Sequence, residues 1–428
     1  MQVHLKTLGC RLNEAELETW AQAFQQRGHS ITREVTQAQL VIINSCAVTQ
    51  DAARKSKQLI RKIHRDNPHA KLVVSGCYAT LNSDEAAQLL GVDLIVGNQD
   101  KQQLVEKTLA ALDLDTMPAM STEPGEIALF NRGRQRAFVK VQDGCRYRCT
   151  FCIVTVARGE ERSRPIDEVV EEINRLHQQG INEVIITGVH LGGYGSDIAS
   201  HLVALIQAIL EQTTIPRLRL GSLEPWELPE GFFALFQNPR LMPHLHLPLQ
   251  SGSDSVLRRM ARRCKTAEFK QLVAEARATI PGFNITTDII VGFPGETEEE
   301  WQESLATIHE IGFSHIHIFS YSQREGTKAA GLPDQVKAEI KKQRSQVLHQ
   351  LAESMRHDFV QSQLTQTHAI LWEGQTETLE DGRLRYFGYT PNYLRVACEV
   401  NAGTVLENSI RSAQMKEDCG DYIHCELT

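Results

Sequence analysis

Three features are missing from the sequence, and each absence argues against a class of protein. No stretch of about 18 apolar residues occurs, as a membrane-spanning helix would need, and no basic segment followed by an apolar run marks a secretory signal. The ten cysteines are too sparse for a secreted disulfide framework. The formal net charge of −8 provides no general attraction for phosphates. We therefore expect a cytoplasmic protein with reduced thiols, in which any nucleic-acid contact depends on local basic patches.

The pattern of apolar runs divides the chain into three predicted domains. Over residues 1–112, four apolar runs alternate with helical patterns, which predicts an α/β domain with a parallel sheet. Residues 113–135 lose this periodicity and are predicted to be a linker. Residues 136–364 contain six strand-like runs separated by helical patterns, which predicts a partial (β/α)6 barrel. Residues 365–428 alternate strand-like runs with turn signals, as expected of a small all-β module.

The three cysteines of the first domain stand at equivalent positions. Cys10, Cys46 and Cys77 each follow a predicted strand, and a small residue precedes each of them. Because the carboxyl ends of parallel strands meet at one edge of a sheet, three thiols distant in sequence can converge there. A buried, inert cysteine would also fit any one of these positions. Their shared placement favours ligands of a bulky inorganic cofactor.

A second group of thiols lies in the short segment "CRYRCTFC", after the first strand of the second domain. Cys145, Cys149 and Cys152 have a C-x3-C-x2-C spacing, which can wrap three thiolates around one iron–sulfur cluster. Such clusters normally have four cysteine ligands, so the missing fourth leaves one iron for a small molecule. The alternative is a zinc site completed by a distant histidine, although zinc sites usually contain cysteine pairs.

This cysteine spacing after the first strand of a six-unit barrel resembles the radical S-adenosylmethionine (SAM) superfamily, and the chain is similar to its methylthiotransferases. The resemblance depends on these segments: "TLGC", "INSC", "SGCYA", "GCRYRCTFCIVTVARGEERSR", "HLHLPLQSGS", "VGFPGETEEE" and "YSQREGT". One departure is Thr155, where many relatives have proline. Among three branches of the family, "TGVHLGGYG" and "FGYTPNYLRV" are most similar to the branch that modifies N6-threonylcarbamoyladenosine at tRNA position 37.

The resemblance implies two 4Fe-4S clusters, SAM and a tRNA substrate. The loop cysteines would hold the cluster that binds SAM, and the three earlier cysteines would hold a second cluster that carries the sulfur. One SAM would methylate this sulfur and another would yield the radical that abstracts hydrogen from C2 of adenine. An electron donor and a sulfur source are also required. By the same resemblance SAM would contact the following residues: Thr187, Gly188, His190, Gln250, Ser251, Arg158 and Arg164. Tight βα turns would also explain the glycines, and solvation or a backbone phosphate would also explain the arginines.

Two regions are candidates for RNA contact. The helix after Cys46 is rich in basic residues, among them Arg54, Lys55, Lys57 and Arg61. The third domain resembles the TRAM domain, a small OB-like β-barrel associated with RNA binding, and it interleaves basic and aromatic residues as a base-stacking surface does: Arg385, Tyr389, Tyr393 and Arg395. Solvated helix faces and core aromatics explain the same patterns. Residues 365–428 also hold ten acidic against five basic side chains.

Several functions remain open at this point. The family that the chain resembles also contains enzymes that methylthiolate isopentenyladenosine in tRNA or an aspartate of a ribosomal protein. From another class, a non-catalytic iron–sulfur carrier or a zinc-stabilised RNA-binding protein would also fit. About eight irons per chain, with SAM-dependent release of 5′-deoxyadenosine, would support the enzyme.

Overall fold

The computed structural model describes residues 1–112 and 135–428, which form two compact units. The N-terminal unit contains residues 1–112 together with Asp143–Glu161 and Ser322–Thr327. The barrel unit contains residues 135–142, Arg162–Tyr321 and Lys328–Thr428. Nearly all of the predicted linker, at 113–134, lies outside the described residues. The loop with Cys145, Cys149 and Cys152 therefore belongs to the same unit as the three earlier cysteines.

The N-terminal unit is built on a five-stranded parallel sheet, as the sequence predicts. Its strands are β1 (Gln2–Thr7), β2 (Ser30–Ile31), β3 (Leu40–Ser45), β4 (Lys71–Gly76) and β5 (Leu94–Val96), in the order β2-β1-β3-β4-β5. Its helices are α1 (Arg11–Gln26), α2 (Gln50–Asp66), α3 (Cys77–Leu81), α4 (Ser83–Ala87), α5 (Leu104–Ala111) and α6 (Val154–Arg158). Every residue of β3 is buried, as expected of a central strand covered on both faces.

The barrel unit contains the six predicted strands in sequential order. They are β6 (Arg136–Lys140), β9 (Glu183–Thr187), β10 (Arg217–Leu220), β11 (His244–His246), β12 (Asn284–Val291) and β13 (His315–Ser320). They form two parallel ladders, β6-β9-β10 and β11-β12-β13, which isolated bridges from Leu218 to Leu241 and from Ser222 to His246 connect. Two-residue strands, β7 (Gln142–Asp143) and β8 (Arg162–Ser163), flank the cysteine loop. The predicted partial barrel is confirmed.

Helices cover one face of this sheet. They are α7 (Ile166–Gln178), α8 (Leu202–Gln212), α9 (Asp254–Arg259), α10 (Thr266–Thr279), α11 (Glu298–Ile311) and α12 (Ala338–Gln363). Short 3-10 segments occur in the N-terminal unit at Val35–Gln37 and Asn98–Gln103, and in the barrel unit at Leu191–Gly193, Pro225–Glu227, Phe232–Gln237 and Lys328–Gly331. None of the helices in the described part of the chain is long and apolar enough to span a membrane.

Alternation along the strands separates an apolar face from a polar one. Val184 and Leu218 belong to the core under the helices, whereas their neighbours Glu183 and Arg219 lie on the opposite face, here called the inner face. Glu183 is fully buried there, and its carboxylate accepts two hydrogen bonds from Arg219, both at 3.2 Å. The inner face at this end of the barrel is therefore occupied by the ion pair between Glu183 and Arg219, and not by apolar side chains.

The C-terminal segment of the barrel unit forms a closed five-stranded β-barrel. Its strands are β14 (Thr367–Thr378), β15 (Leu384–Tyr389), β16 (Arg395–Val400), β17 (Ile410–Asp418) and β18 (Ile423–Leu427), in the order β14-β15-β16-β18-β17. Trp372 and Met415 are completely buried in its core. This closed barrel confirms the predicted all-β module, and it is consistent with a TRAM-like domain.

Candidate functional site

The structure brings Cys10, Cys46 and Cys77 to the same edge of the N-terminal sheet. Cys10 precedes α1, Cys46 directly follows β3, and Cys77 is the first residue of α3. Burial raises the pKa of the Cys46 thiol, and the neighbouring thiols of Cys77 and Cys10 raise it further. Because β1, β3 and β4 are neighbours in the sheet, the cysteines that follow them lie at one edge, as expected from the strand ends.

Two glycines create the space in which these thiols meet. Gly9 has a φ of +108°, and a Cβ there would lie 2.8 Å from Cβ and 2.9 Å from Sγ of Cys46. Gly76 has a φ of +98°, and a Cβ there would lie 2.2 Å from the carbonyl oxygen of Ser45. Any other residue would therefore be strained and would collide with the chain around the thiols.

A buried arginine lies next to this group of thiols. Arg158 is 3% exposed, and Nη1 donates to Oε1 of Glu16 and to Oδ1 of Asp143, both at 3.0 Å. Burial opposes its charge, but these two carboxylates hold the pKa of Arg158 well above its usual value, and the thiols of Cys77 and Cys10 add to the effect. The ion pairs connect helix α1, which begins after Cys10, to helix α6, which ends the second cysteine segment.

Lys101 supplies a second buried cation. It is 2% exposed, and Nζ donates to Oε2 of Glu16 at 2.5 Å and to Oδ1 of Asn44 at 3.1 Å. Burial lowers the pKa of Lys101, while Glu16 and the Cys77 thiol act in the opposite direction. Two buried cations thus interact with the thiols and favour negative charge there, in opposition to the burial that raises the pKa of Cys46.

Two amide side chains, those of Asn98 and Asn13, connect Cys77 and Cys10 to the end of helix α6. Asn98 Nδ2 donates to the carbonyl oxygen of Ala157 at 2.7 Å and lies 3.8 Å from Sγ of Cys77. Asn13 Oδ1 accepts from Arg158 Nη2 at 2.9 Å and lies 3.8 Å from Sγ of Cys10. Through these two amides, helix α6 is linked to two of the three thiols.

The second cysteine segment is a closed loop whose thiols are partly accessible. Cys145 donates its backbone N–H to the carbonyl oxygen of Gly159 at 3.1 Å, and the Cys152 N–H donates to the carbonyl of Cys149 at 3.0 Å. Cys145, Cys149 and Cys152 all have intermediate exposure. Thr155, the departure from the family pattern, donates its hydroxyl to the carbonyl of Tyr147 at 2.8 Å and so helps to close the loop.

Sequence reasoning missed several residues of this site. Arg324, within the quoted segment "YSQREGT", lies close enough to Cys46 for the thiol to raise its pKa, although burial lowers the pKa overall. Its Nε is buried and has no hydrogen-bond partner among the described residues. Asn13, Glu16 and Lys101 were also missed. Only Arg324 could have been found from the sequence, because it is a charged residue within the family segment "YSQREGT". Asn13, Glu16 and Lys101 lie in segments with no such motif.

The predicted SAM contacts of the barrel unit lie at the carboxyl ends of its strands. Thr187 ends β9, and the next residue, Gly188, lies so close to Gln142 that a Cβ would be 2.8 Å from Oε1 of that amide. The same Oε1 accepts from the backbone N–H of His190 at 2.8 Å. His190 itself is buried. This arrangement fixes the turn after β9.

Gln250 and Ser251 follow β11. Gln250 is not a glycine but has a φ of +75°, an uncommon and strained conformation that clusters at functional sites. It is held by backbone hydrogen bonds of 2.8 Å to Asp288 and 2.9 Å from Ile290, and Ser251 is 1% exposed.

The two predicted arginines are both engaged in ion pairs. Arg164 donates to Glu172 at 2.6 Å and to the carbonyl of Lys140 at 2.9 Å. Arg158 lies in the N-terminal unit, not in the unit that carries the strand-end residues.

The basic residues of α2 lie on an exposed helix face. Arg54 and Lys55 pair with Asp51 at 2.5 and 2.7 Å, and Lys57 pairs with Glu85. Arg61 is exposed. These pairs are at the surface, where such contacts contribute little energy and can exchange for phosphate.

The predicted aromatic surface of the C-terminal barrel is occupied within the barrel unit. Tyr389 and Tyr393 stack with ring centroids 5.1 Å apart. Arg136 lies 4.2 Å from the Tyr389 ring, and Arg219 lies 4.3 Å from the Tyr393 ring. The two tyrosines thus cover Arg136 and Arg219 on the inner face. The sequence alone does not reveal this contact, because the residues lie far apart along the chain.

The two arginines of the same barrel also have partners. Arg385 donates to Glu377 at 3.2 Å and to Glu399 at 2.7 Å. The Arg395 guanidinium lies 4.4 Å from the centroid of the Phe387 ring. The predicted RNA-contacting residues of this domain are therefore not grouped as a free stacking surface.

Comparison with protein families finds two matches. A model of the radical SAM superfamily matches residues 139–308, and a model described as uncharacterized protein family UPF0004 matches residues 2–97. Among solved structures, the radical SAM methyltransferase TsrM from Kitasatospora setae aligns with a TM-score of 0.58 at 16% identity, over 77% of each chain. This likeness concerns the fold.

Relatives of known name cover most of the chain. The threonylcarbamoyladenosine tRNA methylthiotransferase MtaB of Bacillus subtilis (strain 168) is 35% identical over 98% of this chain and 96% of its own. The MtaB of Thermotoga maritima is 38% identical over 82% of each chain. A tRNA-2-methylthio-N(6)-dimethylallyladenosine synthase of Methylacidiphilum infernorum is 34% identical over 88% of this chain and 85% of its own.

A six-stranded parallel barrel in one chain with a C-x3-C-x2-C loop defines a radical SAM protein. Membership of this superfamily implies a 4Fe-4S cluster and SAM. The identities to the curated relatives extend over both family models and the C-terminal barrel. The chain therefore belongs to the MtaB family of methylthiotransferases.

Proposed function

We propose that this protein transfers a methylthio group to C2 of N6-threonylcarbamoyladenosine at position 37 of tRNA. The observation that carries the proposal is the 35% identity to the Bacillus subtilis MtaB over 98% of the chain. Relatives named for dimethylallyladenosine are 32 to 34% identical, so the isopentenyl-type substrate is the second candidate. A tRNA substrate is consistent with the cytoplasmic location expected from the sequence.

The residues of the N-terminal unit fit two iron–sulfur clusters. Cys145, Cys149 and Cys152 would hold the cluster that the superfamily implies. Cys10, Cys46 and Cys77 would hold the second cluster, since the glycine-lined space and the buried cations suit a bulky anionic group. When bound, these groups supply the one-electron and sulfur chemistry that a side-chain base cannot provide at an aromatic C–H bond. The electron donor and the sulfur source would be separate molecules.

The other residues of the chain would position these groups and SAM. Arg158, Lys101 and Asn98 hold the loop side of the site against the sheet edge through the contacts described above. Thr187, Gly188, His190, Gln250 and Ser251 remain the proposed SAM contacts, as does Arg164. Arg158 is better assigned to positioning than to SAM, because its guanidinium already has three buried partners.

The basic face of α2 is the proposed tRNA contact of the N-terminal unit. Arg54, Lys55, Lys57 and Arg61 are carried on one helix directly after Cys46. In the C-terminal barrel, Arg385 and Arg395 remain the proposed tRNA contacts. Tyr389 and Tyr393 are no longer proposed, because they already pack on arginines of the same unit.

The test uses the full chain reconstituted with iron and sulfide without oxygen. It is incubated with SAM, a reductant and tRNA that carries either N6-threonylcarbamoyladenosine or isopentenyladenosine, and nucleosides are identified by mass spectrometry. We expect 2-methylthio product from the first tRNA and little from the second. Product from the isopentenyl tRNA alone would make isopentenyladenosine the substrate instead of N6-threonylcarbamoyladenosine. Absence of both products would refute the proposal.

Cysteine variants separate the two proposed sites. Cys149→Ala should abolish release of 5′-deoxyadenosine from SAM, whereas Cys46→Ala should retain this release but form no methylthio product. Iron content, measured on the same samples, should fall by about half in each variant. Equal loss of both activities in both variants would contradict the division between the two groups of cysteines.

A further inference from the structure

Three polar side chains on the inner face of the barrel unit converge on one another. His246 lies on β11, Asp288 on β12 and His317 on β13. One ligand atom from each lies within 4.8 Å of the other two. These two histidines and one carboxylate are not among the residues proposed above to hold the clusters, SAM or tRNA.

The sheet fixes where the three residues lie. His246 pairs with Thr286 in the parallel ladder, and Asp288, two residues further on, pairs with His317 on the next strand. Leu245, Ile289 and Ile316 point into the core under the helices, so the polar trio faces the opposite side. Three neighbouring strands therefore present one donor each from a rigid ladder.

Their side chains are already oriented. Thr286 Oγ1 lies 2.9 Å from Nδ1 of His246, which leaves Nε2 of that ring 3.2 Å from Oδ1 of Asp288. The His317 ring packs edge-on against His315 with centroids 4.6 Å apart. Thr286 thus holds one ring nitrogen of His246, as a hydrogen-bonding partner commonly does for the second nitrogen of a metal-binding histidine, and this fixes the tautomer and the direction of that ring.

The spacing and the accessibility match a metal with an open position. At metal–ligand distances of about 2.0–2.1 Å, two ligands of a tetrahedral zinc lie roughly 3.3 Å apart. The 3.2 Å between His246 and Asp288 is close to this value. The side chains of these two residues are 14% and 25% exposed and His317 is exposed, so water or another oxygen donor can complete the coordination.

We propose that His246, Asp288 and His317 bind one divalent transition-metal ion, of the zinc or ferrous type, on the inner face of the barrel. Two imidazoles and one carboxylate suit such ions and leave positions for an exchangeable ligand. The site contains none of the six cysteines, and the proposal does not depend on the proposed methylthio transfer.

The experiment counts Co²⁺ bound to the full chain after anaerobic iron–sulfur reconstitution and removal of loosely held metal. Equilibrium dialysis gives the stoichiometry, and the absorption spectrum distinguishes a nitrogen and oxygen site from thiolate ligation, which adds sulfur-to-cobalt charge transfer. We expect one Co²⁺ per chain without that charge transfer. It should be lost in His246→Ala, Asp288→Asn and His317→Ala.

Two further variants sharpen the test. Thr286→Val should weaken Co²⁺ binding by about 10–100-fold, because it removes the group that orients His246. His349→Ala, an exposed histidine on α12, is the matched control and should bind as the parent does. If Asp288→Asn misfolds, the exposed His317→Ala decides alone. Equal Co²⁺ in the parent and His317→Ala, including none in either, would overturn the proposal.

Discussion

At the scale of single residues, Arg158 forms a buried network that we expect to stabilise the N-terminal unit. Its guanidinium contacts Glu16, Asp143 and Asn13 inside the N-terminal unit. Removal of one partner of a buried ion pair leaves an uncompensated charge, which commonly costs about 3–5 kcal/mol. We expect Arg158→Met to lower the free energy of unfolding of this unit by about that amount, measured by denaturant titration.

Arg175→Met is the matched control for this prediction. Arg175 is exposed on α7, so its loss should change the free energy of unfolding by no more than about 0.5 kcal/mol. If Arg158→Met were as stable as Arg175→Met, the buried network would not hold the loop. Iron bound after reconstitution should also fall in Arg158→Met, because the loop cysteines lose their attachment to α1.

A second prediction at this scale concerns Gly9. Gly9→Ala would place a methyl group 2.9 Å from Sγ of Cys46, so we expect less iron bound to the first group of cysteines. Gly403 also has a positive φ, +96°, but nothing lies within 4 Å of a Cβ there. Gly403→Ala therefore carries the backbone cost of about 1–2 kcal/mol without the collision. Equal iron content in the two variants would show that the close contact is unimportant.

At the scale of elements, helix α2 allows a test of RNA binding. Replacing Arg54, Lys55 and Arg61 with glutamine removes three exposed charges. If each contacts a phosphate, the slope of log K against log salt for tRNA should become shallower by about 0.7–0.9 per contact. Filter binding at several salt concentrations measures the slope. Arg175→Gln on α7 is the control, and an unchanged slope in the triple variant would exclude this face.

Strand positions could be predicted from sequence because burial imposes simple patterns. "LVIINS" and "EVIITG" are apolar runs bounded by turn residues, and the strands end within a residue of them. The same logic located Cys46 and Cys77 at strand ends. Pairings such as Arg158 with Glu16 could not be predicted, because they join segments more than a hundred residues apart.

The C-terminal barrel shows a different limit. Alternating aromatics such as Tyr389 and Tyr393 fit a base-stacking surface and a packed interior equally well. Only the fold shows that Arg136 and Arg219 already occupy their rings. The inner-face trio was invisible for a related reason, since His246, Asp288 and His317 are separated by about forty and thirty residues and meet only through strand order.

At the scale of the whole molecule, buried and half-buried ion pairs make the barrel unit sensitive to acid. Burial raises the pKa of Glu183, but Arg219 and Arg217 more than offset it, so the pKa is lowered overall. A hydrogen bond from Arg259 lowers the pKa of Glu300 from 4.5 to about 2. A carboxyl with a lowered folded-state pKa stabilises the fold above its ordinary pKa, and this contribution is lost as the pH falls through the folded value.

We therefore expect the melting temperature of the barrel unit to fall steeply between about pH 4.5 and 2, the interval over which the pair between Glu300 and Arg259 is lost. Glu300→Gln should melt lower than the parent at neutral pH but decline less over that interval, because it has no carboxylate to protonate. Glu275→Gln, at an exposed position of α10, should retain the parent slope. Calorimetry from pH 7 to 2 measures all three, and parallel curves for the parent and Glu300→Gln would show that this ion pair does not govern acid stability.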